Sequence, residues 1–153
     1  MKTRFLAILI AFFGILSSCT HNDGDIGPLF GAWRLESATR DNAELILPAG
    51  KYTTWSFQNS LVMVQLIDAS HYAETRMGSF SRPDENKLRL DFDNSADGVE
   101  SGTGSYAAPT WMGFPAKGVF DLDIAELDGK KMVLIWHAPD DGGIYEYKFS
   151  KTW

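Results

Sequence analysis

The stretch GVFDLDIAELDGKKMVLIWHA, residues 118–138, holds two β-rich runs separated by Asp128-Gly129. Period-two alternation marks a strand with one buried face, and Asp-Gly between two such runs is among the strongest short-range signs of a hairpin. A two-residue turn sets Leu127 opposite Lys130. That register puts Phe120, Leu122 and Ile124 on one face with Val133, Ile135 and His137, and leaves Asp121 and Asp123 on the other.

Two further turns extend the same face. Asn59-Ser60 as a two-residue turn aligns Trp55 and Phe57 with Val62, Val64 and Leu66. Asp140-Asp141-Gly142 suits a three-residue loop with glycine in the left-handed position, which sets His137 across from Tyr145 and carries Tyr147 and Phe149 to the interior. Eight strands follow from pattern and composition, at 31–39, 50–58, 61–67, 72–81, 87–92, 118–127, 130–138 and 143–152. Beyond the first eighteen residues no segment has a convincing helical period.

The connections sort by length. Links after the second, fourth and sixth strands are short, whereas those after odd strands include 40–49 and the 25 residues 93–117. In a meander these two sets lie at opposite ends, giving a closed base and an open mouth. The expected architecture is all-β: an eight-stranded antiparallel up-and-down barrel with one long lid-like loop between the fifth and sixth strands. An antiparallel sandwich is the alternative. Eight strands leave an interior that is either filled by side chains or able to hold one small ligand. Tyr106, Trp111, Met112 and Phe114 in the long loop fold over the mouth as a lid or plug it, because such groups are rarely left in water.

At the other end of the chain, Met1–Arg4 give a basic start and Phe5–Leu16 an apolar run, too short to span a bilayer at about 20 residues but suited to a secretory signal. Leu16-Ser17-Ser18-Cys19 then resembles the lipobox of bacterial lipoproteins, which implies that Cys19 is acylated and becomes the new N-terminus. Three acyl chains at about 0.8 kcal/mol per buried CH2 would make a permanent membrane anchor. Thr20, not Asp, follows the cysteine, so the resemblance points to the outer membrane, on its periplasmic face or at the cell surface. The resulting division is a signal peptide at 1–18, a lipidated cysteine and flexible tether at 19–30, and the barrel at 31–153. Cys19 is the only cysteine among 153 residues, so lipidation leaves no thiol for a disulfide, a metal site or a nucleophile.

Loss of the signal leaves 14 bases less Lys2 and Arg4 against 20 acids, a net charge of -8. An acidic chain without a basic cluster disfavours nucleic acid, and it argues against docking on anionic lipid by charge.

Gly31-Ala32-Trp33, within GPLFGAWRLES, resembles the G-x-W signature of lipocalins, and the whole stretch is similar to the opening of lipocalin-like lipoproteins of Bacteroides-type bacteria. The resemblance implies that Gly31 and Trp33 mark the barrel base, with Trp33 closing it. The chain departs from the pattern in lacking T-D-Y after the sixth strand and an arginine after Arg89 to cover the tryptophan. Lys148 or Lys151 could take that place.

Trp55, Phe57, Phe120, His137, Tyr145 and Tyr147, with Trp111 from the loop, are the candidate ligand-binding residues. The same aromatic set would also make an ordinary filled core, and His137 could simply bond near the rim. Asp93, Ser95, Asp97 and Gly98 start like a calcium loop, yet Gly104 stands where its closing glutamate belongs, so no metal is assigned. Gly102-x-Gly104-x-x-Ala107 lacks the βαβ surroundings of a dinucleotide site, and no cofactor is expected. No catalytic set can be named, so the expected function is non-catalytic. The first expectation is a lipoprotein binding a small apolar or amphipathic ligand in its barrel. The second is a filled scaffold whose loops contact a protein or glycan partner.

Overall fold

The computed structural model describes residues 24–93, 100 and 102–153. Nine strands form one antiparallel sheet: β1 (Gly31–Arg40), β2 (Ala43–Glu44), β3 (Tyr52–Gln58), β4 (Leu61–Ile67), β5 (Ala73–Ser81), β6 (Lys87–Asp91), β7 (Val119–Leu127), β8 (Lys131–His137) and β9 (Ile144–Lys151). β1 pairs with β3, the strands from β3 to β9 pair in succession, and β9 returns to β1, which closes these eight into an up-and-down barrel. The short β2 adds to the outer end of β1 as an extra strand. All eight strands expected from the sequence are present, and closure removes the edges an open sheet would leave unpaired.

Two of the three turns need correction. The Asn59-Ser60 hairpin has the expected register, with Trp55 opposite Val64 and Phe57 opposite Val62. After Asp128-Gly129, however, Leu127 faces Met132, not Lys130. The Asp128 carboxylate accepts from the amides of Lys130 and Lys131 at 2.6 and 2.7 Å, and the Asp128 amide donates to the Lys131 carbonyl at 3.0 Å. These bonds stabilise a four-residue loop, which moves the register by two residues, and a bulge between Ile124 and Glu126 takes one of them back, leaving a net slip of one. A slip of one residue exchanges the faces of a strand. Met132, Leu134 and Trp136 therefore point inward with Phe120, Leu122 and Ile124, while Val133, Ile135 and His137 do not.

The same shift passes into the last hairpin. His137 pairs with Ile144 and Trp136 with Tyr145, so the link is longer than the three residues expected. Gly142 does have the left-handed φ of 66°, and Tyr145, Tyr147 and Phe149 do face inward. In β1 a bulge between Leu35 and Ser37 keeps both Leu35 and Ala38 on the interior side.

The base of the barrel is closed by the chain itself. Residues 24–29, expected as tether, form a 3-10 segment, Gly24–Leu29, that brings Leu29 to complete burial. The Trp33 indole N–H donates to the Leu29 carbonyl at 2.9 Å. Lys151 covers the Trp33 ring with its ammonium 5.2 Å from the ring centre and also donates to the Pro28 carbonyl at 3.1 Å. Of the two lysines expected in the place of the lipocalin arginine, Lys151 takes it; Lys148 pairs with Glu146. Gly31 has a φ of 115°, and a Cβ there would stand 2.2 Å from the Trp153 carbonyl oxygen, so this position suits only glycine.

Candidate functional site

The mouth is where a barrel of this kind would receive a ligand, and its geometry is built by the segment joining β6 to β7. Residues 94–99 and 101, which include most of the calcium-like sequence, lie outside the described residues. From Gly102 the chain makes two short turns, Gly104–Tyr106 and Thr110–Met112. Ala108 is then held by its amide to the Ala116 carbonyl at 2.8 Å, which draws the loop between them into the barrel end.

Met112 and Phe114 sit inside the barrel, fully and almost fully buried. The Tyr147 hydroxyl donates to the Met112 carbonyl at 2.7 Å, and the Trp55 indole N–H points at the Met112 sulfur at 3.2 Å. Phe114 lies 4.7 Å from Trp136, 4.9 Å from Phe120 and 5.7 Å from Tyr147, measured between ring centres. Such tilted and stacked rings at 4.5–7 Å add to their area burial. Gly113 makes the insertion sterically feasible: its φ is 93°, and a Cβ would meet the Tyr145 ring at 2.4 Å. The segment is therefore a plug rather than a cover, and it occupies the space a ligand would need.

Above the plug, Trp111 is half-buried and its indole N–H donates to the Thr53 hydroxyl at 3.3 Å. Arg76 faces inward from β5, 5.4 Å from the Trp111 ring centre, and pairs with Glu74. An inward arginine on the alternating face of β5 is legible in the sequence, because Arg76, Gly78 and Phe80 share parity, but its role as the outer seal of the plug is not.

Of the candidate ligand-binding residues, Trp55, Phe57, Phe120, Tyr145 and Tyr147 come together as interior walls, and Trp111 lies at the rim. His137 does not join them. It stands on the outer face, with 63% of its side chain exposed, 3.7 Å from Asp123. The interior position expected for it belongs to Trp136, whose indole buries far more apolar surface than an imidazole. Burial pushes the Tyr147 hydroxyl well above its ordinary pKa, with Tyr145 nearby adding to the shift, so it remains a neutral donor to Met112. Tyr145 is raised in the same way, first by burial and then by its bond to Asp141. Among the described residues no group of three or more histidine, cysteine, aspartate or glutamate side chains is placed to hold a metal ion.

Several clefts lie on the outside of the barrel. One of about 790 Å³ runs along β3 to β5 beside Met63, Met77 and Tyr106. Another of about 470 Å³ lies under the 44–51 loop, and one of about 370 Å³ lies between Lys117 and His137.

Residues 14–138 match the family model described as a lipocalin-like domain. Comparison with curated proteins gives no match. Among solved structures, an uncharacterized protein from Bacteroides eggerthii is similar at 20% identity, covering 80% of this chain and 98% of the other with a TM-score of 0.52. A lipocalin-like protein from Bacteroides uniformis is similar at 16% identity over 82% of this chain and 99% of the other, with a TM-score of 0.51. At such identities the likeness concerns the fold. With its G-x-W base, its closed meander and a family match over most of its length, this chain belongs to the lipocalin-like domain family.

Proposed function

We propose that the protein is a non-catalytic envelope lipoprotein, anchored at the outer membrane through Cys19, whose barrel is a filled scaffold presenting its mouth-end loops to a protein or glycan partner. The observation that carries this reading is the burial of Met112 and Phe114 among Trp55, Phe120, Trp136 and Tyr147, where a ligand-binding barrel would keep its space. The loops around that plugged end expose Ile46 at 94% and Tyr72 at 71% among Asp41, Glu44, Asp68 and Asp140. Large apolar groups so exposed in an acidic surround suit a contact face better than bare solvent. The signal-like start, the lipobox-like residues before Cys19 and Thr20 after it support the anchor.

A second reading, storage of a small apolar molecule in the barrel, is favoured by the aromatic walls, but it requires the molecule to displace Met112 and Phe114. Native mass spectrometry of protein purified without detergent separates the two. The scaffold reading expects the bare chain mass, and tryptophan emission unchanged by a panel of fatty acids and sterols. A co-purifying small molecule, or saturable quenching by one of the panel, would overturn it.

A further inference from the structure

The lipid anchor and the fold together constrain which end of the barrel meets the membrane. The described chain begins at Gly24 and runs directly into the base, where Leu29 is buried. Cys19 precedes Gly24 by five residues, which reach at most about 3.6 Å each, so an acylated Cys19 keeps this end within about 20 Å of the bilayer. The plugged mouth, at the other end of the strands, faces away.

The base is built differently from the rest of the surface. Trp153 is 70% exposed and meets Phe30 edge-on at 6.2 Å, and Leu61, in the β3–β4 hairpin at the same end, is 62% exposed. Lys130 and Lys131 are exposed in the β7–β8 hairpin at the same end, where the Lys130 carbonyl accepts from the Lys151 amide at 2.8 Å. Of the acids at this end, Asp84 and Asp128 are turned onto amides of their own loops, whereas Glu85, in the β5–β6 turn, and Glu126, on β7, are exposed. The mouth gathers Asp41, Glu44, Asp68, Asp140 and Asp141 against Arg40, Lys51 and Lys117, with Arg40 paired to Asp41 and Asp141.

We infer that the base is a lipid-docking face, with the Trp153 indole in the headgroup layer of the membrane that holds Cys19 and with Lys130 and Lys131 against lipid phosphates. The two lysines are a local pair set against the net acidic charge of the chain. An indole has an apolar body and a polar N–H, the combination that collects at membrane interfaces, and each lysine near an anionic surface adds to the attraction. The acidic mouth is then held away from the same surface. The inference rests on the lipoprotein reading above and adds the orientation.

The test uses the full acylated chain in vesicles of phosphatidylethanolamine and phosphatidylglycerol with brominated acyl chains, which quench tryptophan only at the bilayer. Emission should be quenched, and Trp153→Phe, which preserves the main-chain carbonyl bonded to Ala32, should reduce that quenching at least threefold while Trp111→Phe leaves it unchanged. Lys130→Glu with Lys131→Glu should weaken it further at low salt. If the protein carries acyl chains at Cys19 and Trp153 is not quenched, the docking face is wrong and the anchor stands. Quenching carried by Trp111 would put the mouth on the lipid and also overturn it. A Trp153 emission shift that grows with protein concentration without lipid would assign the face to a second copy and overturn it as well. An unmodified Cys19 overturns both readings.

Discussion

The two ends of this barrel are closed by different means. At the base, residues on the strands or directly adjoining them do the work: Leu29, Trp33 and Lys151 meet where the chain enters β1 and leaves β9, two strands already paired in the barrel. At the mouth, closure comes from the connection between β6 and β7, which belongs to no strand of the barrel and places Met112 against Tyr147 and Trp55. Contacts local to the barrel's own strands cannot be removed without unfolding it. A segment carried on a long connection can be, so the mouth is the end at which the interior could change its contents.

The largest expected effect breaks the base. Trp33→Ala removes a fully buried indole and should cost about 3–5 kcal/mol by urea unfolding, with the whole barrel losing stability in one transition. Phe114→Ala should cost about 3 kcal/mol, at the lower end of the range for buried aromatics, because the plug can settle into the space. It should also create an apolar cavity that takes up benzene, seen as chemical-shift changes at Trp136 and Tyr147. The Trp33 variant should show no such uptake at the mouth.

A smaller effect isolates one contact of the plug. Tyr147→Phe leaves the ring and removes the hydroxyl that donates to Met112, and should cost about 1 kcal/mol with faster amide exchange confined to 108–116.

The smallest effect is on acid stability. Asp128 at the base is held below the usual carboxylate pKa by the amides of Lys130 and Lys131, Asp141 at the mouth by the amide of Gly143, and Asp68 by the Ser70 hydroxyl. A folded pKa below the unfolded one contributes stability above the unfolded value near 3.9, and that contribution is lost as pH falls through the folded value. The melting temperature should therefore fall between about pH 4 and pH 2. Asp141→Asn should lower the melting temperature slightly at pH 7, where the ionised carboxylate holds the Gly143 amide, the Tyr145 hydroxyl and Arg40, and should flatten the dependence below pH 4.

The strand content and polarity of the barrel were legible in the sequence because they follow from alternation and loop length. Gly31 and Trp33 were legible through the signature itself, and Lys151, far along the chain, through the cation that the family resemblance sets over the tryptophan. The facing of β8 was not. Asp128-Gly129 reads as a two-residue turn, and the longer loop depends on the Asp128 side chain capturing two amides, together with a bulge that no alternation reveals. Weighing Trp136 against His137 for the interior would have chosen the correct face on burial alone. The apolar residues of the long loop signalled that it must bury something, but whether it covers or fills depends on Gly113 taking a left-handed turn against Tyr145. Nor did composition show that residues 24–29 would fold against the base.

That the barrel is filled at its mouth by Met112 and Phe114 is tested most directly by nuclear Overhauser effects from the Met112 methyl group in selectively labelled protein. Strong effects to the Trp55 indole, with a methyl shift displaced by the surrounding rings, are the expected result. A Met112 methyl at its random-coil shift with no effect to Trp55 would mean that the segment lies outside, and that the interior is free for a ligand.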